Sequence, residues 1–208
     1  RFNACVKGNS TESIPTSKVD ILWIDTPDII HYLTLEHDGY ASFFVNYETD
    51  GDGKQLSTSP KGNAVVAAYD SAGNVLWSWH LWLTGGDDPR NGFTLSNGAT
   101  LMGYNLGAWE NPNGETTPAD IWRGYGLYYQ WGRPTPFKPA SSGVYGAVAK
   151  VPSNPAQVAT VEEAVANPTT LYGSGDSQQH DWLATKNNAL WGYQNEYTDL
   201  KKTMYDPC

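Results

Sequence analysis

Between Val19 and Thr84 the chain repeats one pattern five times: a short run of β-branched and aromatic residues, then a turn. The runs are VDILWI (19–24), IIHYLTL (29–35), YASFFVNYE (40–48), GNAVVAAYD (62–70) and NVLWSWHLWLT (74–84). Between them DTPD, EHDG, DGDGKQLSTSPK and SAG supply the Asp, Pro and Gly that set or permit turn dihedrals. AAYDSAGNVLWSW reads as a hairpin with its turn at Asp70–Gly73. A succession of this kind predicts a β-sandwich-like segment over residues 1–84.

After Gly85 the texture changes. GGDDPRNG, NGAT and ENPNGETTPAD read as loops around the aromatic runs LMGYNLGAW (101–109) and YGLYYQWGRPTPF (125–137). One helix is expected near 157–166, where Thr160 and Glu163 fit a capping box and Asn167-Pro168 stops it. Residues 85–208 therefore read as a loop-rich, aromatic-rich α+β segment, packed with the first as two units or one. A mainly β chain of 208 residues with 9 Trp, 13 Tyr, 21 Gly and 13 Pro has the aromatic mass for a core and the residues for frequent turns.

The net charge of −9 argues against nucleic acid, whose recognition needs a basic face. No stretch approaches the roughly 20 apolar residues of a membrane span. Arg1 leads directly into domain-like sequence without a signal peptide, the expectation for a mature or trimmed form. Cys5 and Cys208 sit near the two ends; one disulfide between them and two unrelated thiols are both open readings.

The residues that could carry chemistry are few. Glu48, Asp50 and Asp52 have the spacing of a calcium loop, but Ser59 stands where an EF-hand places Glu, and the flanks read as strands. An acidic hairpin loop is the stronger expectation, with calcium as the only cofactor suggested. His31, His37, His80 and His180 form no metal-binding spacing, and no nucleophile elbow or P-loop occurs. Carboxylate pairs such as Glu110 with Asp120, or Glu162 with Glu163, can be named, yet nothing singles one out. No catalytic residue is assigned.

Alternation along 74–84 places Val75, Trp77, Trp79, Leu81 and Leu83 on one face, uniformly apolar and suited to a core. Leu76, Ser78, His80, Trp82 and Thr84 form a mixed face, on which His80 reads as half-buried and hydrogen-bonded. In the second half Trp109, Trp122, Tyr128 and Trp131 are the candidate ligand-binding aromatics. The competing reading of GLYYQWG puts Leu127, Tyr129 and Trp131 in a core, with Tyr128 and Gln130 facing out.

Taken in order, GNAVVAAYDSAGNVLWSWHLWLT, LMGYNLGAW, GLYYQWGRPTPF, TVEEAVANPTTLY and YDPC resemble a family run over residues 62–208. The run is similar to that of the fimbrillin-like, pilus-associated surface lipoproteins of Bacteroides and relatives. Their C-terminal region resembles the Fibrobacter succinogenes major paralogous domain. Two departures stand out. Gly103-Tyr104 replaces the family's Asp-Arg, and the family continues past the position of Cys208 into the closing half of a C-type-lectin-like fold. The expectation is thus a chain truncated at Cys208 that holds part of such a domain.

The resemblance implies an exported protein of the extracellular or outer-membrane surface, usually lipid-anchored upstream. Its role would be that of a non-enzymatic adhesin or pilus-tip-like module, with a glycan or surface protein as ligand and other pilus subunits as further partners. The alternatives are a structural pilin assembling by strand addition and a carbohydrate-active enzyme.

Overall fold

The structure, a computed structural model, describes residues 1–47, 51–52, 54, 60–111, 122–137, 158–173, 181–192 and 201–207. The described chain is mainly β, and its sheets are antiparallel. Strands β1 (Phe2–Asn3), β3 (Ile30–Leu35) and β4 (Tyr40–Val45) form one sheet in the order β1-β4-β3. A second sheet has the order β2-β5-β6, from β2 (Lys18–Ile24), β5 (Lys61–Tyr69) and β6 (Val75–Thr84). A small ribbon pairs β7 (Phe93–Thr94) with β8 (Thr100–Leu101).

The five runs read from the sequence are β2 to β6. β4 ends at Val45, short of the expected 48. At the β5–β6 turn the Asp70 carboxylate accepts from the backbone N–H groups of Ala72 and Asn74 and from the Asn74 amide, and Gly73 takes a φ of 86°. That is the local hydrogen bonding that makes Asp and Gly turn residues.

β5 is the hub. Every residue from Gly62 to Ala68 is buried, so both faces of its sheet are covered. Ala64, Val66 and Ala68 lie opposite Leu81, Trp79 and Trp77. Their face shares one apolar cluster with Ile30 and Ala41 of the other sheet. Each large aliphatic side chain enclosed there contributes about 1.5–3 kcal/mol. Farther along, Trp77 is 1% exposed and packs on Ile14, Val165, Met204 and the Tyr205 ring, 5.6 Å away.

The opposite face carries Asn63, Val65 and Ala67 against Trp82, His80 and Ser78. His80, expected on this mixed face to be half-buried and hydrogen-bonded, is partly buried, as is Trp82. The second half of the chain packs on this face: Ser78 meets Thr135 at 2.5 Å and the Trp82 indole donates to the Ala108 carbonyl at 2.8 Å. Its polar residues are seam residues between two packed layers.

Helix α1 (Val161–Ala166) is shorter than the expected 157–166, because Thr160 is its N-cap and the helix begins only after it. The capping box is complete, with Glu163 N–H donating to Thr160 Oγ1 at 3.1 Å and Thr160 N–H to Glu163 Oε2 at 2.7 Å. Asn167 is the C-cap. No helix of the described residues is long and apolar enough to cross a membrane.

Candidate functional site

A buried polar network sits on the seam. Asn63, fully buried in β5, donates through Nδ2 to Asp25 Oδ2 at 2.6 Å and to the Gly107 carbonyl at 2.9 Å. Both partners only accept, which fixes the amide orientation and turns Oδ1 toward His80 Nε2 at 2.8 Å. Nε2 therefore carries the proton, and Nδ1 accepts from the Tyr129 hydroxyl at 3.0 Å. Burial pushes the His80 pKa down to about 4, so the ring is neutral at pH 7. Asp25 gains two further donors, the Asn63 backbone N–H at 2.6 Å and the Trp109 indole at 3.0 Å. Each member here has its hydrogen-bonding capacity matched, the signature of a network that positions backbone.

Arg133 anchors the second half in the same way. It is 2% exposed, and its guanidinium lies near the Phe137, Tyr172 and Trp182 rings at 5.2, 5.6 and 5.8 Å. Nη1 donates to Gln130 Oε1 and the Thr170 carbonyl; Nη2 donates to the carbonyls of Ala164, Asn167 and Pro168. The last three lie at the end of α1, where carbonyls are left without helical partners and favour a cation. Burial lowers the Arg133 pKa to about 10, which leaves it charged at neutral pH.

An open groove of about 380 Å³ is lined by Met102, Gly103, Tyr104, Asn105, Glu110, Asn111, Gly124 and Tyr125. Its walls are braced from below. Asn105 Nδ2 donates to the Gly124 carbonyl at 2.8 Å, the Trp109 N–H donates to the Arg123 carbonyl at 2.8 Å, and Arg123 pairs with Glu110 at 3.2 Å. Burial, with the nearby Asp87 charge, pushes the Tyr104 pKa up. Tyr125, across the groove, is 47% exposed. Two rings, two amides and a carboxylate thus converge on one concave surface.

The sequence-derived candidates scatter around this site. Trp109 supports the groove from behind, its indole N–H committed to Asp25. Trp122 opens a 3-10 turn (Trp122–Gly124) that leads into the groove wall, and its side chain lies outside the described residues. Tyr128 is 43% exposed. Trp131 is 49% exposed and packs at 4.6 Å on Trp191. The alternation reading of GLYYQWG is corrected at two positions. Gln130 is turned inward to Arg133 and Tyr172, and Trp131 faces out, because the chain turns at Gly132 with a φ of 82°.

Glu48 and Asp50 lie outside the described residues, as does Cys208. Asp52 is exposed in a turn, and no cluster of three potential metal ligands occurs among the described residues. Cys5 is a partly buried thiol whose sulfur lies against Gly39.

Sequence reasoning missed Tyr104, Asn105, Asn111 and Tyr125 as a group, and Asp25 and Asn63 as a pair. One signal was present: Asn63 is a polar residue inside the apolar run of β5. No family model, curated protein or solved structure matches the chain.

Proposed function

We propose that this chain is a non-enzymatic binding module of the surface-adhesin or pilus-tip type, taking a glycan or a protein segment in the groove between Tyr104 and Tyr125. The observation that carries this reading is the groove itself. Aromatic rings offer apolar contact with a polar edge, and Asn105, Asn111 and Glu110 offer oriented hydrogen bonding beside them. Its volume lies in the range of ligand sites, which begins at about 300 Å³. The ordered likeness of residues 62–208 to the fimbrillin-like surface proteins supports an extracellular or outer-membrane setting. It also supports a sandwich-like first segment followed by a C-type-lectin-like second one.

Arrays of immobilised glycans and of extracellular protein segments test the proposal, probed with the wild-type chain and with Tyr125→Ala. Retention that falls at least about tenfold in Tyr125→Ala is the expected result, with unfolding of the variant measured alongside to show that its fold is kept. Retention that ignores Tyr125, or release of sugar from a bound polysaccharide, refutes it.

A further inference from the structure

We propose that the groove selects neutral saccharides and rejects anionic ones, with Glu110 as the discriminating group; this deepens, and rests on, the binding reading above. Among the described residues the groove lining contains one charged side chain, Glu110, and no Lys, Arg or His. Its remaining polar groups are the Asn105 and Asn111 amides, which both donate and accept, as sugar hydroxyls do. Carboxylate oxygens accept from hydroxyl donors, a role that a sugar carboxylate or sulfate cannot fill. Tyr104 and Tyr125 supply two rings against which the C–H face of a pyranose can lie.

Arg123 sharpens the argument. Its guanidinium is 3.2 Å from Glu110 Oε1, so the positive charge beside Glu110 is already matched. An anionic sugar entering the groove meets the Glu110 carboxylate at close range, within a protein of net charge −9. Like charges brought together in this way oppose binding, and at physiological salt the short-range part of that repulsion survives screening. Removing the Glu110 charge while keeping its shape removes that repulsion and leaves Arg123 without its carboxylate partner.

The test is isothermal titration calorimetry of the full chain at 0.15 M ionic strength. The probes are a neutral hexose oligosaccharide and the hexuronate oligosaccharide of the same length and linkage. In the wild type, the hexuronate is expected to bind at least about tenfold more weakly than the neutral sugar. Glu110→Gln narrows that gap to within about threefold by strengthening hexuronate binding, and Tyr125→Ala weakens the neutral sugar. Equal or tighter wild-type binding of the hexuronate overturns the selectivity and leaves the binding module standing. Tyr125-dependent retention of protein segments with no saccharide bound overturns the saccharide class alone. If no ligand of either kind is retained through Tyr125, both readings fall.

Discussion

Lowering the pH across the range in which an unfolded histidine gains its proton tests the seam network directly. His80 titrates near 6.5 when unfolded and near 4 in the fold, where burial disfavours the charged ring. Between those values the unfolded chain binds more protons than the native one, so stability falls as pH falls. The contribution is fully present above pH 6.5 and fully lost by about pH 4. A shift from 6.5 to about 4, at 1.36 kcal/mol per unit, amounts to about 3 kcal/mol. That is a large share of the 5–15 kcal/mol typical of a domain.

Urea unfolding followed by tryptophan fluorescence at half-unit steps from pH 7 to 4.5 measures the loss. Other groups titrate as well, so the informative quantity is the difference between the wild type and His80→Gln. The variant is less stable at pH 7, having lost a bond to Tyr129 or to Asn63, but its stability declines less as the pH falls. The two curves are expected to converge by about 2–3 kcal/mol over the window. Parallel curves would mean that His80 is free to protonate in place, and the burial argument would be refuted.

Four further substitutions probe the scaffold. Arg133→Lys offers at most three donors to a site with five acceptors, and a loss of about 2–4 kcal/mol is expected by thermal or denaturant unfolding. Gly62→Ala places a Cβ 2.4 Å from Thr26 Oγ1 and 2.8 Å from Asp25 Oδ1, on a backbone with a φ of 150°. A cost above about 2 kcal/mol is expected, with a near-neutral result counting against the close approach. Trp23 and Trp109 form a paired test. Trp23 is 8% exposed, and its indole N–H has no partner among the described residues, whereas the Trp109 N–H serves Asp25. Trp109→Phe should therefore cost about 1–2 kcal/mol more than Trp23→Phe once the difference in buried area is allowed for. The reverse order would show that Asp25 does not depend on the indole.

The strands were legible because their information is local. Alternation assigned Trp77, Trp79, Leu81 and Leu83 to a core face, and Asp70 with Gly73 announced the hairpin, as the register of β5 and β6 bears out. The hydrogen-bonded state of His80 was readable from its place between Ser78 and Trp82. Its partners were not, since Asn63 and Tyr129 lie 17 and 49 residues away. Gln130 and Trp131 exchanged places because Gly132 ends the extended run, and glycine marks a possible turn without stating which way the chain goes. The groove escaped for a similar reason: Tyr104 and Tyr125 become neighbours only when Asn105 and Trp109 bond the 123–124 backbone. Arg133 reads as a surface cation in any composition argument, and only five carbonyl-type acceptors around it make burial tolerable.

The seam also governs how quickly the chain can reach its native state. The bonds that join its two layers close very long loops: 84 residues between Asp25 and Trp109, 57 between Ser78 and Thr135, and 49 between His80 and Tyr129. The β5–β6 hairpin, by contrast, pairs across a short turn and forms on a local timescale of about 1–10 μs. Long-range closure is an entropic cost met before its contacts reward it, and topologies dominated by such contacts fold in milliseconds to seconds. Until the second layer docks, the Asp25 carboxylate and the Asn63 amide lack their partners from residues 107 and 109. Docking of the second layer is thus the step that takes these polar groups of the β2-β5-β6 sheet out of water and into their native bonds.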